Sequence, residues 1–99
     1  MSWATHAKEA LRRGETVQVR PRGHSMSGIN DGDHVTLAPA DPAALKVGDI
    51  VLVRVHGTDY LHLIKAVSQG RFLIGNNRGG VNGWVGVHAI YGIATKIEP

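Results

Sequence analysis

Short apolar stretches separated by glycine-containing turns run along most of this sequence, and this pattern restricts the fold more than any other feature. The 13 glycines among 99 residues are typical of turns between short strands rather than of long helices. The stretch over residues 50–55 is apolar at nearly every position, which predicts burial on both faces. Alternating or continuous apolar residues predict strands over residues 15–20, 34–38, 50–55, 60–67, 71–74, 84–87 and 90–97.

A single helix is predicted before these strands. Ser2 can cap it and Gly14 can end it. Its apolar residues fall on one stripe at helical spacing, namely Trp3, Ala7, Ala10 and Leu11. We therefore expect an N-terminal helix within residues 1–14 and a β domain over residues 15–97. The predicted fold class is mostly β: a small, coiled, antiparallel, β-barrel-like domain with one short N-terminal helix.

The composition narrows the chemistry that the chain can perform. The sequence contains no cysteine, which excludes a disulfide scaffold, thiol catalysis and cysteine-type zinc sites. Its 6 histidines show no recognised ligand spacing, so we expect no metal and no cofactor. No apolar run approaches the ~20 residues of a membrane-spanning helix, and the N-terminus has no apolar signal region. We expect a cytoplasmic protein without a membrane anchor.

The charge of the chain is modestly basic. The net charge is +3, and Arg12, Arg13, Arg20 and Arg22 cluster near the start. A basic patch can bind nucleic acid, but so small a charge without interleaved aromatic residues does not lead us to expect a nucleic-acid partner. The sequence leaves the oligomeric state open.

A serine in a glycine-flanked turn is the first candidate for chemistry. Ser25 lies in the segment 23–28, which begins and ends with glycine, and such turns can expose a hydroxyl group. A serine hydroxyl needs a base to become a nucleophile, and the strand over residues 60–67 offers His62 and Lys65. These two residues alternate to opposite faces of a regular strand, so only one of them can face Ser25. Histidine titrates near neutral pH, whereas lysine would need burial to do so. His62 is therefore the preferred base and Lys65 the alternative.

Six short motifs follow one another along the chain. They are residues 23–26 (GHSM), 32–33 (GD), 46–53 (KVGDIVLV), 61–67 (LHLIKAV), 75–77 (GNN) and 90–93 (IYGI). In order and spacing they resemble the boxes of the LexA-like and signal peptidase superfamily of serine peptidases. The resemblance covers roughly residues 15–97, and the family's coiled, mostly antiparallel β-structure agrees with the strands expected above.

The resemblance implies a serine endopeptidase. Ser25 would be the nucleophile of an acyl-enzyme mechanism, and His62, which falls at about the base position, would be the general base. The family uses either lysine or histidine as this base. The resemblance also implies substrate-binding and oxyanion roles for the residues beside the nucleophile and in the GNN box, namely His24, Met26, Ser27 and Asn76. Asn76 stands where the signal peptidase type often has aspartate, and asparagine cannot supply that negative charge.

A second hypothesis fits the same motifs. A catalytically inactive peptidase-like β domain could bind a peptide or protein partner, for example by strand addition at a sheet edge. Under both hypotheses the expected partner is a peptide or protein. The distance from Oγ of Ser25 to the nearest nitrogen of His62 distinguishes them, because a catalytic pair needs a separation of about 2.6–3.2 Å.

Overall fold

The described part of the chain contains one helix and seven strands. The computed structural model describes residues 3–21, 29–30 and 32–99. Two single 3₁₀ turns, Pro42–Ala44 and Val87–Ala89, lie before the third and the last strand. In chain order the elements are α1 (Trp3–Arg12), β1 (Val17–Val19), β2 (His34–Pro39), β3 (Ile50–Val55), β4 (Thr58–Ser68), β5 (Arg71–Gly75), β6 (Val81–Gly86) and β7 (Ile90–Glu98).

The predicted N-terminal helix is confirmed. The buried residues of α1 are Ala4, Ala7, Ala10 and Leu11. Gly14 adopts a φ of 79° just after the helix, and its N–H donates to the carbonyl oxygen of Leu11 at 3.0 Å. A left-handed glycine in this position is a common helix end. Within the described residues, no helix has the length and apolar character needed to cross a membrane.

All neighbouring strands of the sheet are antiparallel, in the order β1-β2-β7-β3-β4-β5-β6. The mostly β, antiparallel class is thus confirmed. The barrel-like closure predicted from the sequence is not observed, because β1 and β6 stand at opposite edges of an open sheet. Closure would require these edge strands to hydrogen-bond to each other. Instead, α1 packs against β1, β2 and β7 and covers one face of that part of the sheet.

The central strand β3 is buried on both faces, as predicted. Leu52 packs in a first core with Leu11 of α1. Val51 and Val53 pack in a second core with Ile74 of β5. These three β3 residues are 0% exposed. Because alternate residues of a strand point to opposite faces, β3 separates the two cores.

A two-residue turn joins β3 to β4. His56 and Gly57 have φ values of 49° and 81°, the left-handed pair that a tight hairpin requires. The sequence predicts β4 from residue 60, and the observed strand begins two residues earlier because Thr58 and Asp59 already pair with β3.

Gly92 sets the distance between α1 and β7. A Cβ atom at this position would lie 2.8 Å from the carbonyl oxygen of Ala38 and 2.8 Å from Cδ1 of Leu11. Carbon atoms in good contact lie about 3.5–4.0 Å apart. The missing side chain therefore allows Leu11 to pack directly against the backbone of β7.

We expect Gly92→Ala to lower the free energy of unfolding by about 1–3 kcal/mol, because the added methyl group overpacks this contact. The matched control is Gly86→Ala, where an added Cβ would have no atom within 4 Å and the expected change stays within about 0.5 kcal/mol. Urea unfolding of both variants checks the prediction. Equal stabilities for the two variants would contradict it.

Candidate active site

Only part of the predicted site lies in the described chain. His24, Ser25, Met26 and Ser27 lie outside the described residues, so their roles and the Ser25–His62 pair stay predictions. The structure does describe the two candidate bases and the predicted site residue Asn76. It also describes the residues on both sides of residues 22–28, which contain the predicted nucleophile Ser25 and are called the nucleophile segment below.

Hydrogen bonds connect the two ends of the nucleophile segment. The N–H of Gly32 donates to the carbonyl oxygen of Pro21 at 3.4 Å, and Nε of Arg20 donates to the carbonyl oxygen of Gly32 at 3.3 Å. The buried carboxylate of Asp33 accepts the N–H of Asn30 at 2.9 Å. These hydrogen bonds hold the chain that leaves β1 close to the chain that returns to β2.

His62 lies in the middle of β4, where it pairs with Val51 of β3 on the side of the second core. Only 3% of its surface is exposed. The ring of Tyr60, two residues earlier on the same face, stacks on the imidazole with centroids 4.7 Å apart and an interplanar angle of 29°. Strand pairing and stacking thus hold the imidazole in a defined orientation.

Asn82 determines which nitrogen of His62 carries the proton. Nδ1 of His62 lies 2.6 Å from Oδ1 of Asn82. A carboxamide oxygen only accepts hydrogen bonds, so the neutral ring carries its hydrogen on Nδ1 and donates it to Asn82. The lone pair is then on Nε2. This is the tautomer in which an imidazole can remove a proton from an alcohol.

Nε2 of His62 is buried and has no hydrogen-bond partner among the described residues. Buried polar atoms in proteins are nearly always paired, and an unpaired one costs about 1–3 kcal/mol. The lone pair of Nε2 is therefore open to a proton donor from outside the described residues.

Burial lowers the pKa of His62 below its ordinary value of 6.5. The hydrogen bond with Asn82 acts in the opposite direction, and it is the smaller effect. The cause is that a buried imidazole loses the water that would stabilise its charged form. The ring is therefore neutral at neutral pH and able to accept a proton.

Asn82 is a site residue that the sequence analysis missed. Its glycine-rich surroundings predicted a loop here, but β6 already begins at Val81. Ile74 of β5 pairs with Gly83, and the next pair uses Val81, so Asn82 is the extra residue of a β-bulge. A bulge redirects a side chain, and no hydrophobic periodicity marks it. The Asn-Gly pair ahead of an apolar stretch is the only local hint in the sequence.

Asn76 contacts its own loop rather than His62 in the described structure. Its Oδ1 accepts the N–H groups of Arg78 at 2.9 Å and Gly80 at 2.8 Å. Its own N–H donates to the carbonyl oxygen of Gly80 at 3.0 Å. These bonds close the turn between β5 and β6, and the substrate or oxyanion role predicted for Asn76 stays a prediction.

Lys65, the alternative base, lies on the other side of β4 from His62. It is the extra residue of a second bulge, in the pairing of β4 with β5. Its Cδ atom is 2.6 Å from the position that a Cβ of Gly75 would occupy. Gly75 pairs with Leu63, which packs against the first core. The structure therefore groups His62, rather than Lys65, with Asn82.

The nucleophile segment is flanked by residues of the first core. Val19 precedes it, Ile29 follows it, and both pack in that core, whereas His62 is on the side of the second. Lys65 therefore remains the alternative base, and the test of function below separates the two.

Comparisons with known proteins add no family assignment. No family model matches the chain, and no curated protein matches its sequence. Within residues 3–21, 29–30 and 32–99, no three acidic or histidine side chains converge in a way that could hold a metal ion.

Replacing Asn82 with aspartate should raise the pKa of His62. The carboxylate would accept the same Nδ1–H and add a negative charge that stabilises the imidazolium, by about one pH unit or more. Asn82→Asp and the wild type are compared by NMR titration of the His62 ring. Gln18→Glu, which adds the same charge at an exposed position of β1, is the control and should leave this pKa unchanged. An unchanged pKa in Asn82→Asp would contradict the assigned hydrogen bond.

The lowered pKa of His62 also predicts how stability depends on pH. His62 loses its proton near pH 6.5 in the unfolded chain and at lower pH in the folded protein. Between these values the unfolded state binds more protons, so the free energy of unfolding falls as the pH decreases below about 6.5 and this contribution is complete above it.

Urea unfolding between about pH 7.5 and about pH 5 measures this dependence. His62→Gln should flatten the curve, whereas His6→Gln, at an exposed position of α1, should leave its slope unchanged. Parallel curves for the two variants would show that His62 is not the responsible group.

Proposed function

We propose that the protein is a serine peptidase of the LexA-like and signal peptidase type, in which Ser25 is the nucleophile, His62 the general base and Asn82 the residue that orients His62. The observation that carries the proposal is the state of the imidazole. His62 is buried, its Nδ1 is bonded to an acceptor, and its Nε2 has no partner among the described residues. The position of this base on the strand after the VGDIV stretch agrees with the motif order.

The proposed reaction begins with proton transfer from Oγ of Ser25 to Nε2 of His62. Oγ forms a bond to the carbonyl carbon of the substrate, and the carbonyl oxygen becomes an oxyanion held by backbone N–H donors. Nε2 then returns the proton to the departing amine as the C–N bond breaks, which leaves an acyl-enzyme. Water, deprotonated by the same nitrogen, attacks the acyl carbon, and the proton passes from Nε2 to Oγ of Ser25 as the C–Oγ bond breaks and the acid product leaves. His24, Met26, Ser27 and Asn76 remain the proposed surroundings of the substrate.

The neutral side chain of Asn82 affects both the tautomer of His62 and the stability of its protonated form in the proposed reaction. It accepts the Nδ1–H of His62 throughout and keeps the ring in the required tautomer. It carries no charge, so it does not offset the positive charge that the ring acquires after proton transfer. We therefore expect a base that works at neutral pH because burial lowers its pKa. The cytoplasmic location expected from the sequence is part of the same proposal.

A second candidate function is peptide binding without catalysis. The edge strand β6 favours it, because Val81 and Trp84 are 59% and 45% exposed and an edge strand can accept an added strand from a partner. This candidate predicts peptide binding that does not depend on Ser25.

A fluorophosphonate probe tests the two candidates. It should form an adduct on Ser25, detected by mass spectrometry of the digested protein. The reaction should be absent in Ser25→Ala and unchanged in Ser68→Ala, which removes an exposed serine at the end of β4. His62→Gln should slow the labelling by about 10²- to 10⁴-fold, while Lys65→Gln should leave it nearly unchanged.

Two results of this experiment would contradict the proposal. Loss of labelling in Lys65→Gln but not in His62→Gln would overturn the assignment of the base. A folded protein that the probe never labels at Ser25 would overturn the peptidase proposal. Peptide binding retained equally in Ser25→Ala would then favour the second candidate.

A further inference from the structure

A groove of about 390 Å³ lies between the end of α1, the two 3₁₀ turns and the start of β7. None of its lining residues belongs to β4, so it is distinct from the site around His62. Its lining combines polar surface with the aliphatic side chains of Leu11, Leu45, Val87 and Ile90. Leu11 and Leu45 are buried parts of the two cores, so this surface is a fixed part of the fold.

The rim of this groove is basic. Arg12 and His88 line it and are exposed, and its lining contains no aspartate or glutamate. The guanidinium of Arg12 lies over the ring of Tyr91, 5.6 Å from the centroid. Lys8 also lies near this ring, at 5.2 Å, but its charge is matched by Asp59 at 2.9 Å.

Arg12 has no such partner in the described part of the chain. None of the ion pairs among the described residues includes it. The neighbouring Arg13, in contrast, contacts Glu15 at 3.2 Å. A planar guanidinium that is fixed on an aromatic ring and lacks an acidic partner is well suited to bind a carboxylate.

We propose that this groove binds a short segment of a partner polypeptide in which an acidic residue stands beside aliphatic residues. The carboxylate would contact Arg12, and the aliphatic side chains would lie on Leu45, Val87 and Ile90. The charge of the rim and the aliphatic part of the lining together argue for this occupant. An inorganic anion would gain nothing from the aliphatic surface, and a purely apolar segment would gain nothing from Arg12.

The probe for this proposal is the acetylated and amidated tripeptide Leu-Glu-Leu, with Leu-Gln-Leu as its uncharged match. ¹H–¹⁵N NMR titration should show saturable shifts at Ile90, Tyr91 and Leu45. The binding of Leu-Gln-Leu should be weaker by about threefold to tenfold, the range expected for a charge-assisted contact at a partly exposed site. Equal binding of both peptides would overturn the role of Arg12.

Two variants of adjacent residues sharpen the test. Arg12→Gln should weaken Leu-Glu-Leu to the level of Leu-Gln-Leu, and Arg13→Gln, which removes the same charge outside the groove, should leave the binding unchanged. Val87→Asp, whose fold is checked by circular dichroism, should abolish binding of the acidic peptide. Absence of shifts up to millimolar peptide would overturn the proposal. Decanoate that shifts these signals when the peptide does not would also overturn it, in favour of a pocket for a free amphiphile.

Discussion

Strand β3 is apolar on both faces, so other elements must pack against each face to exclude water. Val51, Leu52 and Val53 have no exposed surface, and each buried aliphatic side chain contributes about 1.5–3 kcal/mol relative to exposure. The alanine-rich helix α1 packs over β1, β2 and β7 and completes the core around Leu52. The other face is closed by β4, β5 and β6, which bend until β6 contacts β3 across the second core.

The burial of β3 on both faces also creates the environment of His62. Its position opposite Val51 puts the imidazole on the side of the second core, and burial lowers its pKa more than the hydrogen bond with Asn82 raises it. Asn82 then fixes the tautomer without adding a charge. The apolar surroundings that stabilise the sheet thus also keep the imidazole neutral, and they offer Nε2 no hydrogen-bond partner in the described part of the chain.

The elements of the fold were largely predictable from the sequence. β3 has the predicted bounds, and β4, β5 and β7 differ from their predictions by one or two residues. Their apolar alternation is strong and local. β1 is shorter than predicted. The start of β6 was missed because glycine and asparagine interrupt the alternation there, so that its first three residues have the composition of a loop.

His62 could be recognised as a candidate base from residue type and strand position, because the alternation of side chains follows from the geometry of a single strand. The same local rule put His62 and Lys65 on opposite faces of β4. Neither Asn82 as the partner of His62 nor the openness of the sheet could be predicted in this way. The contact with Asn82 requires a bulge in β6, and an open sheet requires β1 and β6 to stay apart. Register, bulges and edges are set by the packing of all seven strands and α1 together, so they become defined only when the whole chain is folded.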